Sequence, residues 1–235
     1  MLLIGLLMVL ITKIIIKQVT SNKLAVNHVR WWRIWRLIIK FACLLTEKIT
    51  FTITDMENIH ELLVRRHSIR KYTSEPIAAE DVKLILEAGL LAPTSKSSRS
   101  WQFIAVDDRA MLDRLAQCKP AGALPLSRCP LAIVVAGSPE LSDPWVEDAS
   151  IAAAYMQLQA EDLGIGSCWI QVRGRFTADG IPSEEYVQEL LGIPETLPVL
   201  CIMTFGHKDE ERRPVDTSKL CWEKVHIGRW NPAVD

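Results

Sequence analysis

The segment Arg65-Arg66-His67-Ser68-Ile69-Arg70-Lys71-Tyr72 places four permanent cations, an imidazole and a hydroxyl within eight residues. Guanidinium groups offer forked donors to phosphate or carboxylate oxygens, and a serine adds a neutral donor among them. The chemistry suited to this set is capture of an anion, with the phosphate of a bound cofactor the natural candidate. A solvated basic face is the plain alternative, and these eight residues alone leave both readings open.

Other chemistry is thinly represented. The six cysteines (Cys43, Cys118, Cys129, Cys168, Cys201, Cys221) are scattered, with no C-x-x-C pair and no His/Cys spacing of a zinc site. Cys168 and Cys201 lie in apolar runs and read as buried small hydrophobes. The simplest setting for such thiols is a reducing, cytoplasmic one. No G-x-G-x-x-G follows a strand and no G-x-x-x-x-G-K-[ST] occurs, so the dinucleotide fingerprint and the P-loop are both missing. No Ser-His-Asp set, metal cluster or carboxylate pair stands out, and no side chain is assigned as catalytic.

The formal net charge of −1 conceals an asymmetry. Residues 1–54 carry eight Lys and Arg against the single acid Glu47, while the remainder carries nineteen basic and twenty-seven acidic residues. Such a break marks two pieces with different partners or histories. The piece from 56 to 235 has the size of one domain with its own core. Its acidic balance argues against general nucleic-acid binding, so any anion it holds needs a local basic pocket.

The first 55 residues form a basic, hydrophobic extension. Met1 to Ile11 contains no polar side chain, but with Thr12 and Lys13 following it falls short of the roughly 20 residues that cross a bilayer. It lacks the charged start and small-residue cleavage site of a secretory signal. Farther on, Arg30, Arg33, Arg36 and Lys40 recur at helical spacing among Trp31, Trp32, Trp35 and Ile38. That is the composition of a helix lying on an anionic membrane. Two readings follow: a membrane-associated segment, or an over-extended start upstream of a domain that begins at Met56. The second is preferred, because Met56 opens a helical pattern, with Asp55 before it and Glu57 just inside.

The elements that must position the basic segment alternate. Helices are expected over 56–66, 79–91, 108–117 (capped by Asp107), 146–163 and 184–191 (capped by Ser183), and strands over 102–106, 131–136, 167–170 and 199–205. Pro93 stops the second helix, and Thr94 to Ser100 reads as a polar loop. Ala149, Ala152, Ala153, Met156 and Ala160 give the long helix a small-residue face that permits close approach. Connections of unequal length do not compel a doubly wound sheet. A layered α+β sheet covered by helices fits best.

In this order the landmarks resemble the FMN-dependent nitroreductase family. They are Arg66-His67-Ser68-Ile69-Arg70 after the first helix, Ala92-Pro93-Thr94-Ser95 running to Trp101-Gln102-Phe103, Glu161-Asp162-Leu163-Gly164-Ile165-Gly166-Ser167-Cys168-Trp169-Ile170, and Phe205-Gly206-His207 leading to Arg212-Arg213-Pro214. The resemblance covers nearly all of 56–235 and none of 1–55. It implies a homodimer with two FMN sites at the interface and NAD(P)H as electron donor. By position, Arg66 and Ser68, with His67 between them, match the phosphate and ribityl ligands, and Arg70 matches the cation near flavin N1/O2. Pro93, Thr94, Ser95 and Ser97 match a loop that reaches the flavin from the other subunit. Trp169, Ile170 and Gln171 match the segment along one flavin face, with a backbone N–H directed at N5. Arg212 and Arg213 match a basic pair that closes on the phosphate. Family members commonly carry Asn, then Gln-Pro, before the Trp; here Ser97, Arg99 and Ser100 stand there. Gln171 stands where some members have an acid.

The implied activity is a ping-pong transfer of electrons from NAD(P)H to a small nitroaromatic, quinone or similar electron-poor acceptor. A flavin-dependent dehydrogenase of another substrate on the same fold is one alternative. A membrane-tethered flavin-binding module without turnover is another. The loop 118–130 is where acceptor choice is expected to lie. A chain beginning at Met56 is expected to express as a soluble yellow dimer with full NAD(P)H-driven turnover. Flavin content and turnover compared with the full-length chain check this, and loss of either in the shorter chain shows that the basic extension belongs to the working structure.

Overall fold

The computed structural model describes residues 58–230. Expectations for residues 1–55, and for the start of the first helix at 56–57, lie outside the described residues. Helix α1 spans Ile59–Arg65, and the Asn58 side chain accepts the His60 N–H at its start. Helix α2 spans Ala79–Leu90, and strand β1 spans Trp101–Val106. Helix α3, Arg109–Leu115, is capped by Asp108 and not by Asp107. The Asp108 carboxylate accepts the Met111 N–H at 2.8 Å, three residues on, where an N-cap side chain reaches. The helix then tightens into a 3-10 turn, Ala116–Cys118, and stops short of the expected 117.

Strand β2 covers Leu131–Gly137, the long helix α4 Trp145–Asp162 and strand β3 Ile165–Gln171. Helix α5 is Ser183–Leu191, and strand β4 is Val199–His207. Ser183 is inside α5, not capping it: Pro182 holds the cap position, and the buried Ser183 hydroxyl donates to the Cys118 carbonyl. Gly192 ends α5 with φ near 67°, a conformation that costs a residue with a Cβ.

The four strands form one antiparallel sheet in the order β1-β2-β4-β3. The two central strands are buried on both faces, which is why they read as continuous apolar runs. One face packs Ile133, Val135, Met203 and Phe205 against α2 and α4 through Ile85, Ala149, Ala153 and Met156. The other packs Ala132, Val134, Ile170 and Ile202 against α3 and α5 through Leu112, Leu115 and Val187. Residues 58–230 thus form helix layer, sheet, helix layer, as the α+β reading expects. The five described cysteines are free thiols, four of them buried. Among the described residues no helix is long and apolar enough to cross a membrane.

One local feature positions the basic segment. Gly166 of β3 and Gly206 of β4 are partners in the strand ladder, so both leave the same face bare. A Cβ on Gly166 would meet the Ile69 side chain at 2.9 Å, and one on Gly206 would meet the Tyr72 ring and Pro130 at 2.8 Å. The paired glycines therefore form a shallow trough that takes Ile69 and Tyr72, both buried. The Tyr72 hydroxyl donates to the Ile69 carbonyl at 2.6 Å and shares a hydrogen bond with Thr204 Oγ1 at 2.7 Å. Burial pushes this phenol far above its ordinary pKa, so it stays a neutral strut. Gly166→Ala is expected to destabilise the domain by about 1–3 kcal/mol through overpacking against a branched core side chain. Thermal unfolding checks this, and a melting temperature equal to the parent's removes the trough from the argument.

Candidate functional site

The basic segment leaves the end of α1, meets the outer edge of β3 at Ser68 and Ile69, and crosses to the end of β4, where Tyr72 bridges Lys208. Arg66 is the C-cap of α1, its N–H closing on the Leu62 carbonyl. Ser68 forms a parallel bridge with Ser167, and the Ile69 N–H donates to the Ser167 carbonyl at 2.9 Å. Ser167 thus turns its backbone groups away from β4. Because a strand alternates the direction of its backbone groups, Trp169 and Gln171 turn theirs to the same open edge. Ile170 faces the other way, paired with Ile202 and buried beneath. The Trp169 indole donates to Gln171 Oε1 at 2.9 Å, and Gln171 Nε2 donates to the Arg173 carbonyl at 2.9 Å, fixing both side chains along the strand. Ser68, Trp169 and Gln171 are therefore brought to one edge, with Arg66 and Arg70 on either side of Ser68 in the chain, while the Ile170 side chain is turned into the core.

An acid holds this arrangement in register. Glu210 Oε1 accepts the Arg70 backbone N–H at 2.6 Å, and its Oε2 accepts Arg212 Nη2 at 2.9 Å. One carboxylate thereby ties the early basic segment to the late basic pair. The Arg70 N–H above all, with Arg212 and Lys71 adding to it against the smaller effect of burial, holds the Glu210 carboxyl below its ordinary pKa. Arg70 Nη1 also reaches the Ser68 carbonyl at 3.4 Å. Arg213 is exposed beside Arg212. Nearby, the buried Glu161 at the end of α4 receives Lys208 Nζ on both oxygens at 2.9 Å, with Arg65 Nε at 3.8 Å. A cleft of about 890 Å³ is lined by His67, Glu161, Lys208, Glu210 and Arg212. The His67 Nε2 atom is buried with no hydrogen-bond partner among the described residues.

The second group of candidates lies elsewhere. Pro93 and Thr94 lead into a tight turn over Ser95–Ser97, where Lys96 and Ser97, with Arg99 just beyond, adopt φ of 52°, 56° and 50°. Three non-glycine residues in the left-handed region within four positions are strained backbone. Asp148, in the first turn of α4, accepts the Ser95 N–H at 2.8 Å and the hydroxyls of Ser142 at 2.8 Å and of Ser98 and Ser100 at 3.3 Å each. Burial alone would raise its pKa, but these four donors outweigh it and hold the carboxyl below its ordinary value. The Arg99 N–H closes the turn on Thr94 Oγ1 at 3.0 Å.

A single chain does not bring the two groups together. The loop feeds β1 at one edge of the sheet, and the basic segment lies on β3 at the other, three strand spacings of ~4.8 Å away. They are also offset along the strands. Ser167 is level with Phe205 and hence Leu131, whereas Trp101 is level with Gly137, about 20 Å farther along β2 at ~3.4 Å per residue.

Reading the residues missed Asp148, Glu210 and the register of the glycine pair. Asp148 had a signal: it stands four and eight positions before Ala152 and Met156, on the stripe that the long helix buries. A lone carboxylate on such a stripe must be satisfied by donors. Glu210 had none beyond its place in the acidic run Asp209-Glu210-Glu211 between Lys208 and Arg212.

The family model described as "Nitroreductase family" matches residues 63–120 and 125–207. The chain belongs to the nitroreductase family. A protein of Archaeoglobus fulgidus, named as a candidate NADH dehydrogenase/NAD(P)H nitroreductase, is 36% identical over 183 residues, covering 74% of this chain and all of that one. The NADPH-flavin oxidoreductase of Vibrio harveyi is 30% identical over 169 residues, covering 66% of this chain and 68% of that protein. Among solved structures, an FMN-dependent nitroreductase from Clostridium difficile R20291 is 46% identical with a TM-score of 0.71, covering 72% of this chain and 99% of that one. The α+β sheet flanked by helices is thus a nitroreductase fold, and the basic segment, the Ser-rich loop and β3 all fall within the matched residues.

Within this nitroreductase domain the Glu210 clasp gives a direct test. Glu210→Ala leaves the Arg70 N–H without its acceptor and Arg212 without its partner. Removing a hydrogen bond to a charged group costs about 1.5–3 kcal/mol, so the melting temperature is expected to fall by several degrees. Because the folded pKa is depressed, the carboxylate's contribution is complete above its ordinary value of 4.5 and is lost as pH falls through the depressed one. The difference between parent and variant is therefore expected to shrink on acidification below that value. A difference that is the same at every pH discounts the carboxylate.

Proposed function

We propose that this protein is an FMN-dependent oxidoreductase that passes electrons from NAD(P)H to nitroaromatic, quinone or similar electron-poor small molecules by a ping-pong scheme, as a homodimer. The observation that carries the reading is the basic segment sewn to the open edge of β3, which sets Arg66, Ser68 and Arg70 beside outward backbone donors. The donor set fits the cofactor. Guanidinium groups suit a phosphate, a strand edge suits the polar rim of a planar ring, and the orphaned His67 Nε2 leaves one buried donor or acceptor for the bound group. The names of the relatives support it: one solved neighbour is an FMN-dependent nitroreductase, and another is an NADPH:FMN oxidoreductase from Vibrio harveyi complexed with NAD+.

Bound FMN supplies the two-electron chemistry, and the protein supplies position and electrostatics. Arg66, Ser68 and Arg213 would hold the phosphate, with His67 and the Glu210-anchored Arg212 among them. Arg70 places a fixed cation where negative charge gathers on the reduced ring, which favours reduction. Trp169 and Gln171 would line one ring face, with Ile170 backing them from the core beneath, and the Trp169 N–H is free to donate at the open edge. Solvent supplies the proton, so no side chain is given a proton-transfer role. The working unit is residues 56–235, in a cytoplasmic setting.

The split between the two edges of the sheet supports a shared site. Pro93, Thr94, Ser95 and Ser97 of one copy complete the pocket that the basic segment of the other begins. An apolar surface suited to such a partner exists: Ile151 and Tyr155, one turn apart on α4, and Leu90 and Leu91 at the end of α2 are all exposed. The buried Trp101 indole N–H has no partner among the described residues.

Arg66→Ala is expected to weaken FMN binding by about 1.5–3 kcal/mol in a fluorescence titration. Co-expression decides the sharing. Subunits carrying Arg66→Ala, paired with subunits carrying Thr94→Ala and Ser95→Ala, regain one intact site per mixed dimer when the site spans two copies. Mixed dimers as flavin-poor as either parent variant place the whole site within one chain.

A further inference from the structure

We propose that Asp148 is a positioning residue: its buried carboxylate presets the strained loop 94–100 in the conformation that meets FMN, before FMN arrives. The proposal rests on the reading of that loop as a cofactor-facing segment. The backbone of this loop is held in an unusual conformation. Lys96, Ser97 and Arg99 all take positive φ, a conformation that residues with a Cβ leave readily unless something over-determines it. The loop's own bonds, Ser97 N to the Thr94 carbonyl at 3.1 Å, Ser98 N to the Ser95 carbonyl at 2.9 Å and Arg99 N to Thr94 Oγ1 at 3.0 Å, close the loop on itself and tie it to no other element. Most of the external restraint converges on one group. Asp148 collects a backbone N–H from Ser95 and hydroxyls from Ser98 and Ser100, so it grips the loop near its start, near its middle and at its exit. Ser142 adds a fourth donor from the chain entering α4, and anchors the carboxylate in turn.

The surroundings make this grip rigid. Asp148 is 3% exposed and Ser100 fully buried. The Ser100 carbonyl accepts the Ser138 N–H at 2.9 Å, which fixes the loop exit to the end of β2. The carboxylate lies in the first turn of an eighteen-residue helix, where the peptide dipoles favour negative charge. Three of the donors sit on the loop and the fourth on the chain entering α4, so the loop cannot relax without opening the whole cluster. Asp148 touches neither FMN nor substrate in this account and acts only through the loop.

The test uses the full chain with and without FMN. In Asp148→Ala the loop is expected to lose its hold, so amide exchange at 95–99 accelerates in the flavin-free protein while exchange in β2 and β4 does not change. FMN affinity is expected to fall about tenfold, the loss due to ordering the loop at the time of binding. Adding Lys96→Gly, which removes the side-chain penalty at one positive-φ position, is expected to recover about threefold of that loss. A general packing role for Asp148 would show no such recovery. Unchanged exchange at 95–99 overturns the proposal, because Asp148 then does not hold the loop. Faster exchange with unchanged FMN affinity overturns it differently, by showing that the loop does not meet the cofactor. If Asp148→Ala does not fold, Asp148→Asn carries the same measurements, since its amide oxygen still accepts the Ser95 N–H while its NH2 group faces the serines. Intermediate exchange and a smaller loss of affinity support the proposal, and parent-like values of both overturn it.

Discussion

The closeness with which the basic segment approaches the sheet governs the candidate site. Two glycines, facing each other across the β3–β4 ladder, strip the side chains from one patch of the sheet. Ile69 and Tyr72 settle there, Ser68 is drawn against the edge of β3, and Arg70 and Lys71 between them meet Glu210 and Asp209. A single methyl at either glycine collides with a branched or aromatic core group. The position of Arg66, Ser68 and Arg70 is thus set by packing, and the charges follow where the apolar residues lead.

Electrostatics then refines what packing places. Cations so close together repel one another, yet the segment is ordered because acids are interleaved with it. Glu210 takes the Arg70 backbone and the Arg212 side chain, and Glu161 takes Lys208 and Arg65. These acids leave Arg66, Arg70 and Arg213 to act outward. The domain's acidic balance and its basic pocket are therefore parts of one arrangement. The cysteines play no comparable part. Burial pushes the Cys129 thiol up to about 12, and Cys168, despite Arg70 and Lys119 nearby, is also raised by burial.

Much of the fold was legible in the residues. Periodicity located the five α-helices and four strands of the described residues to within a few positions, since apolar stripes and runs report burial directly. The caps were less legible. Asp107 and Asp108 are equally good cap residues on paper, and only the path of the chain out of β1 selects the second. Ser183 looked like a cap because its type suits one, but a buried hydroxyl facing Cys118 depends on a contact sixty-five residues away. At the site, the basic segment and β3 were recognisable from their landmarks. Asp148 and Glu210 were not, because their importance lies in what they receive from distant loops. The strand order that separates the Ser-rich loop from the basic segment is likewise a property of topology, which local patterns do not encode.

The basic segment has another consequence, for the solution behaviour of the sheet. In any open sheet the outermost strand carries a row of unsatisfied backbone groups, a template on which foreign strands can add. Here β3 is such a strand, and Ser68 and Ile69 occupy part of its rim while Arg66 and Arg70 surround it with charge. The residues suited to holding a small anion are thereby also the guard that keeps one sheet from joining another. Selection against clumping and selection for ligand capture act on the same few side chains, and a change tolerated by one of them is still exposed to the other.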